Sequence, residues 1–405
     1  MIQAPPPQHA PTPVRGHAQA AWRQALLESW WPAPEGAGNV DSRDGVRRWV
    51  TLTLLPLSLA YRALFALHQW TVRPPPRPRG QEIPTVVVGN WVVGGAGKTP
   101  TTIAVLKHLQ ARGWKPGVVS RGFGRRGSGL RLVSPDQDRA EDVGDEPLLI
   151  ARSTQVPVMV GSDRAAGSLA LKAACPEVDI LVADDGLQHH RLRRDLNIVV
   201  VDERGAGNGH CLPAGPLREP IPPRLPPDTL LLYSAGLRTL ELPGHLAIRT
   251  LAGVQTLGAW ERGEPIAQDG GWTALRGGEV LAAAGIAVPR RFFEALEAQG
   301  LKLIRCPLPD HHHFETLPWP ESTTRVVVTE KDAVKLAHSH GERRPHADRV
   351  GLATVWVAKL DLLPDASFWS ALDQRLEPLR RTPHGQPPDR TAGLPPLQGT
   401  TEPQA

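Results

Sequence analysis

The sequence predicts an α/β protein with a mainly parallel sheet flanked by helices, and three observations carry that prediction. Short apolar runs rich in Val, Ile and Leu recur from residue 83 onward, filled almost continuously, as strands buried on both faces are. Helical stretches alternate with them, which is the pattern of strands laid side by side in one sheet. A Gly-rich turn followed by Lys-Thr joins the first run to the first helix. A chain of 405 residues has room for about two domains with appendages. Its 40% apolar content supplies their cores and excludes a wholly disordered chain.

Residues 1–20 carry Pro, Gln and Ala without periodicity and are expected to be a disordered tail, as are residues 376–405. Residues 21–80 are expected to form a membrane-associated helical segment. Within it, 47–73 is apolar, but Arg62 ends the uncharged run 49–61, which is short of the roughly 20 residues a simple span needs. Trp49 and Trp70 flank the stretch, with Arg47 and Arg48 on one side and Arg73, Arg77 and Arg79 on the other. Aromatic and cationic residues at both ends suit a helix lying in the interface of an anionic leaflet; a helical hairpin buried on the domain is the alternative.

Strands are expected at 85–88, 117–120, 157–160, 179–183, 197–202, 230–233, 281–284, 325–329 and 355–358, with helices at 100–112, 163–174 and 289–299. A Gly- and Pro-rich texture at 205–225 divides a core at 81–220 from a second, smaller α/β lobe at 221–375. With 46 basic and 41 acidic residues the net charge is +5, a weak attraction for anions and nothing like a nucleic-acid-binding tail. Cys175, Cys211 and Cys306 are far apart and form no CxxC pair, which disfavours a disulfide framework or zinc site and suits a reducing cytosol. The N-terminal stretch, with prolines from Pro5 and no early apolar run, is not expected to be a secretory signal.

The sharpest local signal is the segment 84–100, PTVVVGNWVVGGAGKTP. An apolar strand runs into a Gly-rich turn, then Lys98-Thr99, then a helix, which is the context a phosphate-binding loop requires. Val92, Val93, Gly94, Gly95, Ala96, Gly97, Lys98 and Thr99 are expected to cradle the phosphates, with backbone N–H groups converging on the oxygens. The helix dipole adds to the site, Lys98 reaches the β and γ phosphates, and the Thr99 hydroxyl ligates Mg²⁺. This makes the expected class a P-loop NTPase-type fold. Val92 stands where the strict pattern has Gly; an ordinary strand–helix turn is the bland alternative. A second apolar strand ends in Asp184-Asp185-Gly186, placing carboxylates where α/β proteins bind ligands and where one of them would hold Mg²⁺. Alone, such a triplet is equally a turn.

Eight motifs in order resemble one family, the tetraacyldisaccharide 4′-kinases of lipid A biosynthesis. They are VVVGNWVVGGAGKTP at 86–100, GWKPGVVSRGFGR at 113–125, VGDEPLLIAR at 143–152 and DDGLQHHRLRRD at 184–195. GNGHCLPAGPLREP at 207–220, AGIAVPRRFFEALEAQGL at 284–301, PDHHHF at 309–314 and VVVTEKDAVK at 326–335 complete the series. The resemblance covers roughly residues 25–375. It departs at Ala287-Val288, where Gly-Asn is usual, and at Phe123, where Tyr is common.

The resemblance implies transfer of the γ-phosphate of ATP to the 4′-hydroxyl of a tetraacyldisaccharide 1-phosphate, giving lipid IVA. It also implies an N-terminal membrane-associated helix, here 47–73, and a peripheral or monotopic place on the cytoplasmic face of the inner membrane. The expected partners are the lipid A disaccharide precursor and the membrane surface, with no nucleic acid and no obligate protein partner. By the same resemblance Asp145 is the catalytic base and Lys98 the catalytic cation, while His311 orients the carboxylate or helps take the proton. Arg121, Phe123, His189, Asn208 and Arg218 face the substrate. Read without the family, Asp145 is equally a helix-start carboxylate, the His311–His313 triplet equally a metal site or exposed loop, and Glu330-Lys331-Asp332 has no derivable role. A P-loop GTPase is the competing enzyme class, against which the lack of an NKxD element counts. A non-catalytic membrane-surface scaffold is the third reading, against which Lys98, Thr99, Asp145 and Asp184 count together.

Overall fold

The structure is a computed structural model that describes residues 15–31, 43–72, 83–337 and 348–380. The chain begins with two helices, α1 (Arg15–Trp30) and α2 (Arg43–Thr71). Strand β1 (Thr85–Gly89) leads into α3 (Lys98–Ala111), β2 (Pro116–Ser120) and β3 (Arg131–Leu132). Next come α4 (Ala140–Val143), α5 (Asp145–Thr154), β4 (Val158–Val160), α6 (Arg164–Ala174), β5 (Ile180–Asp184) and β6 (Leu196–Val201). The second half holds β7 (Thr229–Tyr233), β8 (His245–Thr256), α7 (Leu257–Glu261), β9 (Glu279–Ala284), α8 (Pro289–Ala298) and β10 (Lys302–Pro307). It closes with β11 (Arg325–Thr329), α9 (Glu330–Leu336), β12 (Arg349–Val350), β13 (Ala353–Pro364) and α10 (Ala366–Leu376).

The strands pair in the order β10-β9-β11-β13-β8-β7-β6-β1-β5-β2-β4-β3, with β12 beside β13. Pairing is parallel from β4 through β2, β5, β1, β6 and β7 to β8, and again among β10, β9, β11 and β13. The seam between the two halves is the long antiparallel pair β8–β13. Fully buried Val, Ile and Leu fill β1, β5 and β6, so helices cover both faces, as a parallel sheet requires. Each expected strand is present, and the mainly parallel α/β class holds. β3, β8, β10 and β12 were not expected, and β13 is far longer than 355–358. The expected lobe boundary at 220/221 does not coincide with the sheet. β7 lies beyond it yet pairs with β6 in the first half, and α10 returns to pack against β7 and β8.

Helix α1 starts at Arg15, inside the stretch expected to be a tail; residues 1–14 and 381–405 lie outside the described residues, as do Arg73, Arg77 and Arg79. Helix α2 is continuous past Arg62. Its stretch Gly45–Thr71, 27 residues, is long and apolar enough to cross a membrane by length and composition, so the uncharged run understated it. One face docks on the body. Val50 and Ser58 are buried there, the Ser58 hydroxyl donates to the Cys211 carbonyl at 2.8 Å, and the Tyr61 hydroxyl donates to the Arg218 carbonyl at 2.6 Å. The other face exposes Trp49, Leu52, Leu57, Leu59, Leu64, Leu67 and Trp70.

Parallel strands of both halves point their C-terminal ends at one cleft. From the first half arrive the turns after β1, β2, β5 and β6; from the second, those after β9 and β11. A cavity of about 1180 Å³ lies between them, in the place where open α/β sheets bind ligands.

Candidate active site

The phosphate loop leaves β1 at Gly89 and enters α3 at Lys98. Gly94 and Gly97 both have φ of +90°, a backbone region that glycine alone enters without strain. Gly97 sits at the N-cap of α3, and no side chain caps that end, so its first-turn N–H groups face the cleft free for an anion. Not all eight expected residues share this work. Val92 forms an antiparallel bridge with Leu217 and is buried in the core, Ala96 is fully buried, and the Val93 N–H donates to the Pro216 carbonyl at 2.9 Å. The cavity is lined here by Val93, Gly94, Gly95, Gly97, Lys98 and Thr99, with Val92 and Ala96 packed behind them. Val is accommodated at position 92 without strain because that residue forms an isolated bridge to Leu217 and is not in the left-handed region. Lys98 Nζ lies 3.2 Å from Asn90 Oδ1 and 3.5 Å from Asp185 Oδ1, a short reach from the cradle.

The two aspartates at the end of β5 differ. Asp184 is 1% exposed, and its oxygens accept from the Thr102 hydroxyl at 3.1 Å and the Ser120 hydroxyl at 3.4 Å. Burial, then the charges of Glu146 and Asp185, push its carboxyl up to about 7. Asp185 sits in the left-handed region, φ +48°. Arg218 donates to both of its oxygens, at 2.9 and 3.1 Å, and Arg164 donates to its carbonyl at 3.0 Å. Burial works against its charge, but Lys98 and Arg218 outweigh that and hold it below the usual carboxylate range. A desolvated carboxylate with no salt bridge among the described residues, beside a second carboxylate and the Thr99 hydroxyl at one cavity wall, is an oxygen donor set suited to Mg²⁺ arriving with phosphates. The residues fit that ion.

A second acidic cluster forms where α5 meets the loop after β10. Asp145 opens α5 and is 5% exposed. Its Oδ2 lies 2.9 Å from His311 Nδ1, with Lys331 and Lys335 at 3.9 and 4.0 Å. Burial alone would raise its pKa; the hydrogen bond from His311 and the charge of Lys331 outweigh that and lower it. The carboxylate is thus ionised at neutral pH, as a base for a hydroxyl must be, and it sits beside His311 and Glu146, which line the cavity. His311 comes from the loop after β10, 166 residues away, and its φ of +60° turns the ring toward α5. The Phe123 ring lies tilted, its centroid 5.0 Å from that of the imidazole, while staying 60% exposed.

The remaining expected residues divide. Arg121 is exposed at the cavity wall, His189 lines it with Nε2 3.9 Å from Asp163 Oδ1, and Arg218 lines it from its pairing with Asp185. Burial, then Arg164, lowers the His189 pKa and keeps that ring neutral. Asn208 is a correction. Its amide donates to the Ser29 and Ala214 carbonyls at 3.0 and 2.8 Å and its oxygen accepts from the His210 N–H at 3.1 Å. Its side chain ties the loop after β6 to α1 and does not line the cavity. Unexpected residues enter instead. Arg164 is 8% exposed and pins the turn of Asp185, and Lys331 bridges the acidic cluster. Arg164 lies outside all eight motifs and carries no sequence signal; Lys331 has one, its position directly after a strand. The Ala287 side chain, at the first departure from the family pattern, packs against the phosphate loop, since a Cβ built on Gly95 would lie 3.4 Å from it.

Comparison with known proteins follows the same lines. The profile of the family described as tetraacyldisaccharide-1-P 4'-kinase matches residues 50–377. A tetraacyldisaccharide 4'-kinase of Methylibium petroleiphilum is 50% identical over 335 residues, 82% of this chain and 91% of that protein. The same-named protein of Delftia acidovorans is 41% identical over 379 residues, covering 93% and 99%. The fold is that of the crystal structure of LpxK from Aquifex aeolicus in complex with ATP, with a TM-score of 0.63, 24% identity, and coverage of 81% of this chain and 98% of that one. With a profile spanning nearly all the described core and relatives 41–50% identical over most of the chain, the chain belongs to the tetraacyldisaccharide-1-P 4'-kinase family.

Proposed function

We infer that this kinase transfers the γ-phosphate of ATP to the 4′-hydroxyl of a tetraacyldisaccharide 1-phosphate, at the cytoplasmic face of the inner membrane, giving lipid IVA. The observation that carries the reading is the ionised Asp145 hydrogen-bonded to His311, whose ring lines one cavity together with the phosphate loop. Gly94–Thr99 and Lys98 hold the β and γ phosphates, so that the γ-phosphorus is presented to the opposite wall. Asp145 accepts the 4′-hydroxyl proton as the new O–P bond forms and the bond to the ADP oxygen breaks. Thr99, Asp184 and Asp185 would hold Mg²⁺, which supplies charge neutralisation on the β and γ oxygens when bound. Arg121, His189 and Phe123 lie where an anionic, sugar-bearing acceptor would sit. Arg218, drawn off by Asp185, becomes available to a phosphate once a cation takes that carboxylate. The exposed apolar face of α2, rimmed by Trp49, Trp70 and Arg48, suits docking on an anionic leaflet from which acyl chains need not be extracted.

The test is transfer of label from γ-labelled ATP to a tetraacyldisaccharide 1-phosphate in detergent micelles. Label should appear only with the acceptor present, and Lys98→Ala or Asp145→Ala should lower the rate by about 10³-fold or more, each removing charge positioning or the base. Nucleotide binding without acceptor-dependent labelling would sink the reading.

A further inference from the structure

One lysine at the joint between the two halves of the cleft has so far entered only through its charge. Lys331 lies in the first turn of α9, directly after β11. Its Nζ is 3.2 Å from Glu146 Oε1, 3.3 Å from Asp310 Oδ1 and 3.3 Å from His311 Nε2. An ammonium has three N–H donors and no acceptor, so these three partners saturate it. Burial disfavours its charge, but Glu146, Asp145 and Asp310 outweigh that and hold it above the usual lysine range. It remains a cation.

The consequence falls on His311. A ring nitrogen facing a group that only donates must accept, so Nε2 carries no proton and the proton of the neutral ring sits on Nδ1. Nδ1 is the nitrogen 2.9 Å from Asp145 Oδ2, so the ring donates to the carboxylate. Asp145 Oδ1 meanwhile accepts from the Glu146 backbone N–H at 2.9 Å. The other charged groups around the pair do not undo this. Lys335, on α9, is bound to Asp332 at 3.1 Å and lies 4.0 Å from Asp145 Oδ2; Asp310 Oδ1 lies 3.9 Å from His311 Nε2, beyond hydrogen-bond reach, and both Asp310 and Glu146 are engaged by Lys331.

We propose that Lys331 is a positioning residue for the base: by donating to His311 Nε2 it fixes the Nδ1–H tautomer and aims that N–H at Asp145. Because α9 and the 310–311 loop come from the second half and α5 from the first, the arrangement exists only when the two halves are together, as they are here. The proposal rests on reading Asp145 as the base.

The full-length protein is compared with Lys331→Met and Lys331→Arg, each checked for folding by thermal melt. The first readout is independent of turnover: ¹⁵N chemical shifts of the His311 ring, assigned by difference with His311→Gln. The parent protein should show a protonated Nδ1 and a bare Nε2. Lys331→Met should lose that single tautomer, while Lys331→Arg, which keeps a cationic donor, should retain it. The second readout is the rate. Loss of a group that orients a functional side chain costs about 10- to 100-fold, so kcat for Lys331→Met should fall by that much with KM for ATP and acceptor within about threefold. The acid limb of its pH profile should move to higher pH, since a cation favouring the Asp145 carboxylate is gone. Lys331→Arg should recover most of kcat. Should Lys331→Met not fold, Lys331→Gln takes its place, because an amide both donates and accepts and cannot impose one tautomer. A folded Met or Gln variant with an unchanged ring spectrum, or with unchanged kcat, overturns the proposal. Failure of the base reading shows separately, as Asp145→Asn turning over at the parent rate, while the ring spectrum still reports what Lys331 does to His311.

Discussion

Two carboxylates at the end of β5 are adjacent in sequence and opposite in state. Asp185 is held ionised by Lys98 and Arg218, whereas Asp184 meets only hydroxyls and is pushed up to about 7 by burial. The linkage sign follows. A carboxyl with a folded pKa of about 7, against 3.8 unfolded, holds a proton in the folded state that the unfolded chain has lost. Its favourable contribution is complete below the unfolded value and disappears as pH rises through the folded one. Asp184→Asn should therefore melt higher than the parent protein at pH 8 without nucleotide, with the gap closing toward pH 4, and should be inactive as a kinase at both. A melt series in matched buffers decides it: a variant less stable than the parent at pH 8 would mean that the carboxylate is not strained. The stability sacrificed at Asp184 is what leaves a bare carboxylate for a cation.

Elements became legible in the sequence in proportion to how locally their surroundings are set. β1, β5 and β6 are buried on both faces and read as unbroken apolar runs, and the phosphate loop carries its chemistry within a dozen residues of chain. β8 and β10 were missed for the converse reason. β8 is a half-buried seam strand carrying Arg249 and Gln255, and β10 is an edge strand with mostly exposed side chains, so neither shows the buried-strand pattern. Asp145 and His311 could not be paired by any periodicity, being joined only when the halves meet; the family resemblance supplied that link. Asn208 went the other way, since a motif position was read as substrate contact and turned out to fasten α1 to its loop. Helix α2 shows the limit of counting uncharged residues: Arg62 interrupts the run without interrupting the helix, because it reaches solvent one turn beyond the docked Ser58, on the side away from the apolar exposed face. That face yields a prediction. Leu57 and Leu64 are 58% and 66% exposed, so Leu57→Asp with Leu64→Asp should leave the melting transition nearly unchanged. Burial of each leucine in a membrane interface is worth roughly 1.5–3 kcal/mol, so partition onto anionic phospholipid vesicles should fall at least about tenfold. Sedimentation with unaltered binding would show that α2 meets the membrane by another face or not at all.

At the scale of the molecule, the two halves are not separable folding units, and the reason lies at the end of the described chain. After the second half is complete, β13 hands over to α10, which crosses back to the first half. Phe368, Leu372 and Leu376 are all at most 1% exposed there and belong to the same core as Val105, Leu106 and Leu109 of α3. His108 of α3 stacks on Trp369 at 4.3 Å and reaches Asp373 at 2.8 Å, so the contact is polar as well as apolar at its rim. Three fully buried large side chains are worth about 1.5–3 kcal/mol each, roughly 5–9 kcal/mol together, against a total stability of about 5–15 kcal/mol for an ordinary domain. Removing the helix should therefore cost most of what holds the first half folded, although no residue removed touches the cleft. A chain ending at Asp365 should lose its cooperative denaturation transition, and Phe368→Ala in the full chain should lower stability by about 3–5 kcal/mol while leaving the KM for ATP unchanged. Circular dichroism against denaturant reads both. A truncated chain with a sharp transition near the parent midpoint would mean that the first half carries its own core without α10. A single transition in the parent, lost on truncation, would tie the closing of the cleft, and with it the meeting of Asp145 and His311, to the integrity of the whole chain.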